Sequence, residues 1–316
     1  MRVLFISSGN SDFGISPIVK NQGDSLHELS VEISYFTING KGIFGYLLNL
    51  KRLRNVIVAG KYDILHAHYS LSAFLTSLTF SHVPVVASLM GSDAYLSFPL
   101  RILTRMCARF VWKRVILKSE NMNNCLFLNE YLVLPNGVDL RRFKTLDKQE
   151  SCSMVGYDIN TINVTFLADP KRPEKNFKLC NAAILIAADK CAFNFHVINN
   201  ISPDLVPVYL NATDVLILTS QWEGSPNIIK EAMSCNTCVV STKVGDVEWL
   251  FGDEEGYFMA NSEAPDIADI LVKAITSLSP EKKTHGRCRI KELGLDSEST
   301  ATILLKLYNS VLQCES

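Results

Sequence analysis

Short apolar, β-branched runs alternate with helix-like stretches along the whole chain, and this alternation constrains the fold more than any other feature. The predicted strands are 3–7, 32–37, 64–67, 83–89 and 125–128 in the first half, and 162–167, 193–198, 214–219 and 238–241 in the second. Amphipathic stretches such as 46–59 and 265–277 are predicted helices. Strands that alternate with helices form βαβ units with parallel strands. The sequence therefore predicts an α/β fold with two doubly wound, Rossmann-like domains.

The length and one turn-rich segment indicate where the domains divide. At roughly 150 residues per domain, the 316 residues correspond to two domains. Residues 135–139 read PNGVD, a turn-forming segment, and residues 144–160 are polar without apolar periodicity. We therefore expect domains at 1–144 and 145–296, and a C-terminal helix at 297–316 that packs back on the first domain. Because open parallel sheets bind ligands at the carboxyl ends of their strands, a site is expected in the cleft between the domains.

The composition is that of a globular protein, with 47% hydrophobic and 20% charged residues, which excludes disordered and fibrous chains. The net charge of −1 argues against a nucleic-acid-binding protein. That total hides an asymmetry. Residues 1–144 hold 16 Lys and Arg against 9 Asp and Glu, a net charge of +7, and residues 145–316 hold 15 against 23, a net charge of −8. The two halves are therefore expected to meet different partners.

Neither the cysteines nor the apolar runs indicate secretion or a membrane span. Nine cysteines lie scattered over the chain, so we expect reduced thiols in a cytoplasmic protein. Cys235 and Cys238 are the closest pair, and no second pair at metal-ligand spacing accompanies them. The apolar run at 1–6 is too short for a signal sequence. Residues 69–92 carry no charged side chain but include a proline and several serines, which favours a buried helix and strand over a membrane span.

The segment 214–246 has the pattern of an anion-binding site. It reads DVLILTSQWEGSPNIIKEAMSCNTCVVSTKVGD. A predicted strand runs into a loop that holds Glu223. Ser225 is a good N-cap, and Pro226 is a good first residue for a helix that is expected to end near Ser234. The N-terminus of such a helix presents N–H groups and the positive end of a dipole, which suit a diphosphate.

Two glutamates accompany this helix start: Glu223 precedes it, and Glu231 lies on its second turn. Carboxylates accept hydrogen bonds from hydroxyl groups, so two of them beside a phosphate site suit a sugar nucleotide. The same pattern also fits an ordinary capped helix with two surface glutamates.

A basic turn follows the first predicted strand of the second half. Residues 168–175 read ADPKRPEK and place Arg172 and Lys175 where a strand opens onto a helix, in an otherwise acidic domain. Both side chains are suited to charge-assisted contacts with a diphosphate. A solvated basic turn is the alternative.

Four of these motifs together resemble a known family: Glu223-x7-Glu231, the Gly-Ser-Pro-Asn helix start, the Arg-Pro-Glu-Lys turn and the PNGVD segment. In this order and spacing they are similar to the retaining nucleotide-sugar glycosyltransferases of family 4, of the bacterial surface-polysaccharide type. The likeness covers nearly the whole chain and is strongest from 162 to 247. It implies the GT-B fold, in which two Rossmann-like domains face a cleft.

The resemblance implies a role for each matching residue. Glu231 would hold the ribose hydroxyls of the donor, and Glu223 the hydroxyls of the transferred sugar. Arg172 and Lys175 would bind the diphosphate and stabilise the departing charge. The donor cradle would be completed by the helix start: Gly224, Ser225, Pro226, Asn227 and Ile228, of which the proline has no N–H to give. The family needs no metal, so neither a metal nor another cofactor is expected.

In the first half the resemblance is less complete. Gly14, in the loop after the first predicted strand, matches a glycine that lies close to the donor phosphate. Gly9 and Gly14 form no GxGxxG motif, so this is not a dinucleotide fingerprint. Asp93 matches the family's Gly-x-Asp and either orients the acceptor or caps the following segment. Many relatives carry a histidine at the position of Met90, so a histidine contact to the sugar is not carried over.

His66 and His68 lie at the end of a predicted strand and share one face of it by alternation. No further metal ligand stands out, so core or cleft-lining positions are favoured over a metal site. His68 is nearer the carboxyl end of the strand and is the better candidate for the acceptor side.

Residues 99–118 contain a basic repeat. Arginine or lysine recurs every four residues, which predicts a basic stripe on one helix face: Arg101, Arg105, Arg109 and Lys113, extended by Arg114 and Lys118. Basic amphipathic helices bind anionic membrane surfaces, so the stripe favours docking of the first domain on the inner face of the membrane. A solvated helix face is the alternative.

These observations predict a glycosyltransferase that moves a hexosyl or N-acetylhexosaminyl group from a nucleotide-diphosphate sugar to a polysaccharide or lipid-linked acceptor, with retention as the resemblance implies. Hydrolysis by Glu223 and Glu231 is discounted because Glu231 is expected behind the phosphate site, not across a cleft. Two alternatives stay open: a sugar-nucleotide epimerase or hydrolase on the same fold, and a non-catalytic partner subunit that binds a nucleotide sugar.

Overall fold

The structure, a computed structural model, describes residues 1–10, 14–278 and 284–313. The chain forms two compact units: Met1–Gly137 with the C-terminal segment from Ser297, and Val138–Asp296. The division falls inside the PNGVD segment, before the predicted boundary at 144. The reason is that Val138 and Phe143 pack in the core of the second unit, where the Arg287 guanidinium donates to the carbonyl of Phe143.

In the described part of the first unit, six parallel strands form a sheet in the order β2-β1-β3-β4-β5-β6. The strands are β1 (Arg2–Ser8), β2 (Glu32–Ile38), β3 (Ile64–His68), β4 (Val85–Ser88), β5 (Arg114–Leu117) and β6 (Leu132–Val133). The helices between them are α1 (Pro17–Glu28), α2 (Gly42–Leu47), α3 (Leu50–Gly60), α4 (Ser70–Ser77), α5 (Phe98–Phe110) and α6 (Asn123–Leu126).

Helices cover both faces of this sheet. Because side chains alternate along a strand, Leu4 and Ile6 of β1 pack on one face, and Val3 and Phe5 pack on the other. The core on the first face also contains buried side chains of α3, α4, α5 and α6. The core on the second face contains those of α1. The basic helices α3 and α5 therefore belong to the same helical layer.

The second unit, as far as it is described, has a sheet of five parallel strands in the order β11-β10-β9-β7-β8. The strands are β7 (Asn163–Leu167), β8 (Asn194–Ile198), β9 (Val215–Leu218), β10 (Cys238–Thr242) and β11 (Tyr257–Ala260). The helices are α7 (Lys148–Val155), α8 (Phe177–Ala188), α9 (Val206–Ala212), α10 (Asn227–Ser234), α11 (Val247–Phe251), α12 (Ala264–Ser277) and α13 (Gly286–Glu292).

The C-terminal helix, α14 (Ser297–Gln313), returns to the first unit. Its buried side chains Leu304, Tyr308 and Val311 pack in the same core as α1. The Tyr308 hydroxyl lies 2.5 Å from Nδ1 of the buried His66 in β3. The last helix of the chain is therefore part of the first unit's core.

The prediction of two parallel α/β sheets is confirmed, and several local predictions are wrong. Residues 125–128, predicted as a strand, instead end α6, because Phe127 turns left-handed (φ 52°) and the Asn123 side chain binds Leu128 across the turn. The predicted linker at 144–160 contains α7, which Asp147 caps through the N–H of Glu150. The predicted helix at 46–59 is two helices, α2 and α3. None of the described helices is both long and apolar enough to span a bilayer.

Candidate functional site

The candidate site lies in the second unit at the carboxyl ends of β7, β9 and β10, where parallel sheets bind ligands. Loops 168–176, 219–226 and 243–246 follow these strands. The Thr219 hydroxyl donates to a backbone carbonyl of the first loop, and the Thr242 hydroxyl donates to the Ser220 carbonyl at 2.8 Å. Hydroxyls at the strand ends thus hold the three loops together.

The site contains a close ion pair between two of the predicted residues. Lys175 Nζ lies 2.5 Å from Glu223 Oε1, and the two side chains are 12% and 16% exposed. The Ser220 hydroxyl donates to the same carboxylate oxygen at 2.8 Å. A carboxylate and an ammonium group fixed side by side can bind a sugar hydroxyl and a phosphate of one ligand.

Arg172 is in the same loop as Lys175 but does not join this pair. Its guanidinium binds the Glu174 carboxylate, with Nε 2.7 Å from Oε1, and its side chain is more than half exposed. Residues 173–175 form a single 3-10 turn between these two cations. The structure therefore brings Lys175 to Glu223 and holds Arg172 at the loop surface.

The helix after this loop begins one residue later than predicted. α10 starts at Asn227, and Pro226 occupies the cap position with extended backbone angles (ψ 113°). Ser225, the predicted N-cap, makes no capping hydrogen bond. Ile228 and Ile229 lie in the first turn, whose N–H groups have no acceptor within the helix. The N-terminal end of α10 therefore follows Gly224 after two intervening residues, and its free N–H groups are of the kind that can bind an anion.

Gly245 is a site residue that the sequence analysis missed. Its φ is +56°, and a Cβ at this position would lie 2.3 Å from the carbonyl oxygen of Gly224. Loops 219–226 and 243–246 therefore touch through their backbones, and any side chain would separate them. The available signal was a Gly-Asp pair in the short loop after a predicted strand.

Buried charges lie behind the helix start. Lys230 is fully buried, and burial lowers its pKa to about 8 against the opposing effect of Asp246 and Glu231. Burial raises the pKa of Glu231 to about 7, although the positive charges of Lys230 and Arg142 act in the opposite direction. Burial likewise raises the pKa of Asp246 to about 6. Burial thus disfavours the charged form of each of the three groups, and the opposite charges of the cluster partly restore it.

Asp246 also has a polar neighbour. The Ser225 hydroxyl lies near enough to lower the pKa of the Asp246 carboxyl. Among the described residues, neither that hydroxyl nor either Asp246 oxygen has a partner at hydrogen-bond geometry. Loop 243–246 thus places the buried carboxylate of Asp246 near Ser225, just before the first residue of α10.

The structure shows the surroundings of two predicted residues of the first unit, Gly14 and Asp93. Gly14 is exposed, with φ +68° and open space where a Cβ would be. Asp93 is fully buried, and burial raises its pKa to about 7. One Asp93 oxygen accepts from the N–H and hydroxyl of Ser70, and the other accepts from the Met90 N–H at 2.6 Å. Asp93 thus caps the start of α4 and its own turn, and both oxygens are engaged.

His68 is buried at the end of β3 and stacks on His66 at 4.4 Å between ring centroids. Burial and the nearby Lys118 together lower the pKa of His68 to about 3, so the ring is neutral. Its Nε2 has no hydrogen-bond partner among the described residues. His66 lies between the hydroxyls of Tyr308 and Ser88. The two histidines are core residues in this structure.

The predicted basic helix is shorter than its repeat. α5 ends at Phe110, so Lys113, Arg114 and Lys118 are not on it: Arg114 begins β5, and Lys118 is buried and donates to the carbonyl of Leu134. Backbone pairing of β5 with β4 and β6 in the sheet overrides the helical spacing.

The arginines of α5 are not a simple solvated stripe. Arg101 and Arg105 are partly buried, and Arg109 is exposed. The Arg105 guanidinium donates to the carbonyl of Leu126 and stacks over the Phe127 ring at 4.8 Å.

In the described part of the chain, no cluster of three or more His, Cys, Asp or Glu side chains could hold a metal ion.

Family comparisons match both units. Residues 6–117 match the model described as "Glycosyl transferase 4-like", and residues 169–277 match "Glycosyl transferases group 1". The second match contains Arg172, Lys175, Glu223 and Glu231.

Two curated relatives are identical to the chain at about a quarter of the aligned positions. The putative teichuronic acid biosynthesis glycosyltransferase TuaC of Bacillus subtilis is 24% identical over 70% of this chain and 62% of its own length. The UDP-Gal:alpha-D-GlcNAc-diphosphoundecaprenol alpha-1,3-galactosyltransferase of Escherichia coli is 24% identical over 84% of this chain and 80% of its own length.

Solved structures share the fold over nearly the full chain. Sucrose-phosphate synthase from Thermosynechococcus elongatus superposes with a TM-score of 0.84 at 13% identity, covering 99% of both chains. Anabaena Alr3699/HepE in complex with UDP-glucose gives 0.77 at 15% identity, covering 98% of this chain and 100% of that one. The two family matches, the curated relatives and the fold together identify the chain as a glycosyltransferase of the GT-B fold, like those of family 4.

Proposed function

We propose that the protein transfers a hexosyl or N-acetylhexosaminyl group from a nucleotide-diphosphate sugar, with the donor bound at the carboxyl edge of the second unit. The observation that carries this proposal is the 2.5 Å pair of Lys175 and Glu223 beside the start of α10. A cation, a helix N-terminus and a carboxylate in one place match the diphosphate and the hydroxyls of such a donor.

The chemistry follows from these groups. Breaking the bond between the anomeric carbon and the diphosphate leaves negative charge on the departing nucleotide. Lys175, Arg172 and the first N–H groups of α10 would stabilise that charge without a metal ion. Glu223, held by Lys175 and Ser220, would accept a hydroxyl of the transferred sugar. Glu231, on the next turn of α10, would accept the ribose hydroxyls.

For the donor we propose a UDP-sugar. The name of the Escherichia coli relative specifies UDP-Gal, and the Anabaena protein of the same fold was solved with UDP-glucose. We propose retention of the anomeric configuration, as in the family that the motifs resemble. Nuclear magnetic resonance of the product anomer tests retention, and unchanged activity in a chelator tests independence of metal.

For the acceptor we propose a lipid-linked saccharide or growing polysaccharide on the cytoplasmic face of a membrane. The Escherichia coli relative is named for a diphosphoundecaprenol-linked acceptor, and the Bacillus relative for teichuronic acid biosynthesis. The basic first half of the chain would favour such a surface.

A thermal-shift screen with UDP-, GDP- and ADP-sugars tests the donor site. At about 100 times its Kd, the correct donor adds about 2.7 kcal/mol to the stability of the native protein. This shift should be greatly reduced in Glu231→Ala and kept in the matched control Glu248→Ala, which removes an exposed glutamate of α11. No shift with any nucleotide sugar in the folded protein would refute the donor assignment.

The same screen, followed by product analysis, separates the other functions on this fold. Binding with turnover of the donor but no acceptor product would indicate an epimerase or hydrolase. Binding of the nucleotide sugar with no turnover in the presence of any acceptor would indicate a non-catalytic partner subunit.

A further inference from the structure

One helical layer of the first unit is strongly basic. Helices α2 to α6 cover the sheet face opposite to α1 and α14. Residues 39–131, which span this layer, contain eleven Lys and Arg against two Asp and two Glu, a net charge of +7. Asp93 and Lys118 are both buried, so leaving the two out of the count does not change the net charge of the surface.

The same layer exposes large apolar side chains. Phe44 and Leu48 of the α2 region are 85% and 86% exposed, and Phe110 at the end of α5 is 75% exposed. Along α5 the exposed apolar residues recur every four positions: Phe98, Ile102, Met106 and Phe110. In the described part of the opposite layer, only Leu29 and Ile303 are large hydrophobic residues of the exposed class, each under 40%. Within the described part of the first unit, the strongly exposed apolar side chains therefore lie mainly on the basic layer.

Cations and aromatic rings alternate on this surface. The Arg109 guanidinium lies 5.6 Å from the Phe110 ring centroid, and that of Arg105 lies 4.8 Å from Phe127. A groove of about 490 Å³ lies here, lined mainly by Arg105, Arg109, Phe110, Phe127, Asn129 and Glu130. Its two arginines are suited to the phosphate of a lipid headgroup, and its phenylalanines to the start of the acyl chains.

We propose that the outer surface of α2 and α5 docks the protein on an anionic lipid bilayer. The phenylalanines and Leu48 enter the boundary between headgroups and acyl chains, and the arginines remain at the phosphates. A second copy of the chain is disfavoured as the occupant because two surfaces of this charge repel each other. The inference deepens the proposed function, because a lipid-linked acceptor lies in such a bilayer.

Co-sedimentation with vesicles tests the proposal. The full chain should bind vesicles of phosphatidylcholine mixed with phosphatidylglycerol, and bind vesicles of phosphatidylcholine alone much more weakly. Phe44→Ser and Phe110→Ser should each weaken binding roughly fivefold or more. Arg109→Glu, which changes the charge by two units, should weaken it roughly tenfold or more, and added salt should do the same. All three side chains are exposed, so the variants should fold.

The matched controls are Leu185→Ser, an exposed leucine of α8 in the second unit, and Lys178→Glu, an exposed lysine of the same helix. Both should bind vesicles like the unchanged protein. The proposal would be overturned if the α2 and α5 variants bound vesicles as tightly as the unchanged protein does. So would a stable dimer in solution that Phe110→Ser dissociates, because that would assign the surface to a second copy.

The donor-dependent thermal shift, measured on the same variants without vesicles, separates this inference from the proposed function. Loss of vesicle binding with an unchanged donor shift supports the docking surface. If the unchanged protein shows a donor shift but binds no vesicles, the docking surface is wrong and the transferase proposal stands. If it binds vesicles but no donor, the transferase proposal fails and the docking surface stands.

Discussion

At Gly245 the site depends on the absence of a side chain. Two loops that follow different strands touch there, and a Cβ would lie 2.3 Å from the Gly224 carbonyl oxygen. The positive φ adds a second cost for any other residue. The backbone of Gly245 thus sets how closely loop 243–246 approaches the residues next to Glu223.

Gly245→Ala is therefore expected to destabilise the protein by about 2–4 kcal/mol, from the left-handed backbone and the clash together. Gly156→Ala is the control, because Gly156 has a similar φ of +76° but open space at the Cβ position. It should cost only about 1 kcal/mol. Denaturant unfolding measures the loss of unfolding free energy in the two variants. Equal losses would show that the backbone near Gly224 can move to accept a Cβ at position 245.

Glu231 is expected to make donor binding depend on pH. Burial raises its pKa to about 7 in the free protein, and the ionised carboxylate accepts hydrogen bonds from two ribose hydroxyls more strongly than the protonated form. The affinity for a UDP-sugar should therefore rise as the pH increases through about 7, by up to about tenfold per unit below that value. The diphosphate diester of the donor does not titrate in this range. Isothermal titration calorimetry at several pH values measures the effect.

Glu231→Gln should bind more weakly and lose this pH dependence. Burial also raises the pKa of the nearby Asp246 and lowers that of Lys230, so Asp246→Asn serves as the control. That variant should keep a midpoint near the pKa of Glu231. A pH dependence that survives in Glu231→Gln and disappears in Asp246→Asn would transfer the effect to Asp246.

At the scale of elements, α14 is attached to the first sheet by apolar packing and one buried hydrogen bond. Tyr308 and His66 are both fully buried, and 242 positions of sequence separate them. Burial lowers the pKa of His66 well below its usual value, so the neutral ring bridges the hydroxyls of Tyr308 and Ser88. This chain of polar contacts connects α14 to β3 and β4.

Tyr308→Phe is expected to cost about 1–3 kcal/mol, because it leaves a buried nitrogen of His66 without its partner. Tyr131→Phe is the matched control. It removes a hydrogen bond of 2.9 Å to Glu120 at an accessible site, where water can replace the hydroxyl, and should cost under about 0.5 kcal/mol. Thermal melting of the two variants compares them, and equal melting points would contradict the proposed attachment.

At the scale of the whole molecule, each unit has its own sheet and its own cores. Chains with separate cores commonly unfold in more than one step. We therefore expect two calorimetric transitions, of which a UDP-sugar raises the one that belongs to the second unit.

Tryptophan fluorescence assigns that transition, since Trp222 and Trp249 lie in the second unit and Trp112 in the first. In Trp112→Phe, the fluorescence comes only from Trp222 and Trp249. It should therefore change only in the transition that the donor shifts to higher temperature. A single transition whose calorimetric and van't Hoff enthalpies agree would show that the two units unfold together.

Local patterns predicted most of the elements around the candidate site. The strands before each site loop and the helix that carries Glu231 were predicted within about two residues, because periodicity, caps and turn residues act between near neighbours. The pairing of Lys175 with Glu223 lies beyond such patterns, since 48 positions separate the two residues. The roles of these residues in donor binding remain predictions.

By itself, the sequence determined that this chain forms two parallel α/β sheets, because buried runs and amphipathic helices are properties of contiguous residues. Only the tertiary structure decided where the basic repeat stops being a helix, because the pairing of Arg114 with β4 depends on a distant strand. It also decided that Gly245 meets Gly224 and that Tyr308 meets His66. Burial and hydrogen bonding depend on neighbours in space, and a spacing rule along the chain does not specify which distant residues those neighbours are.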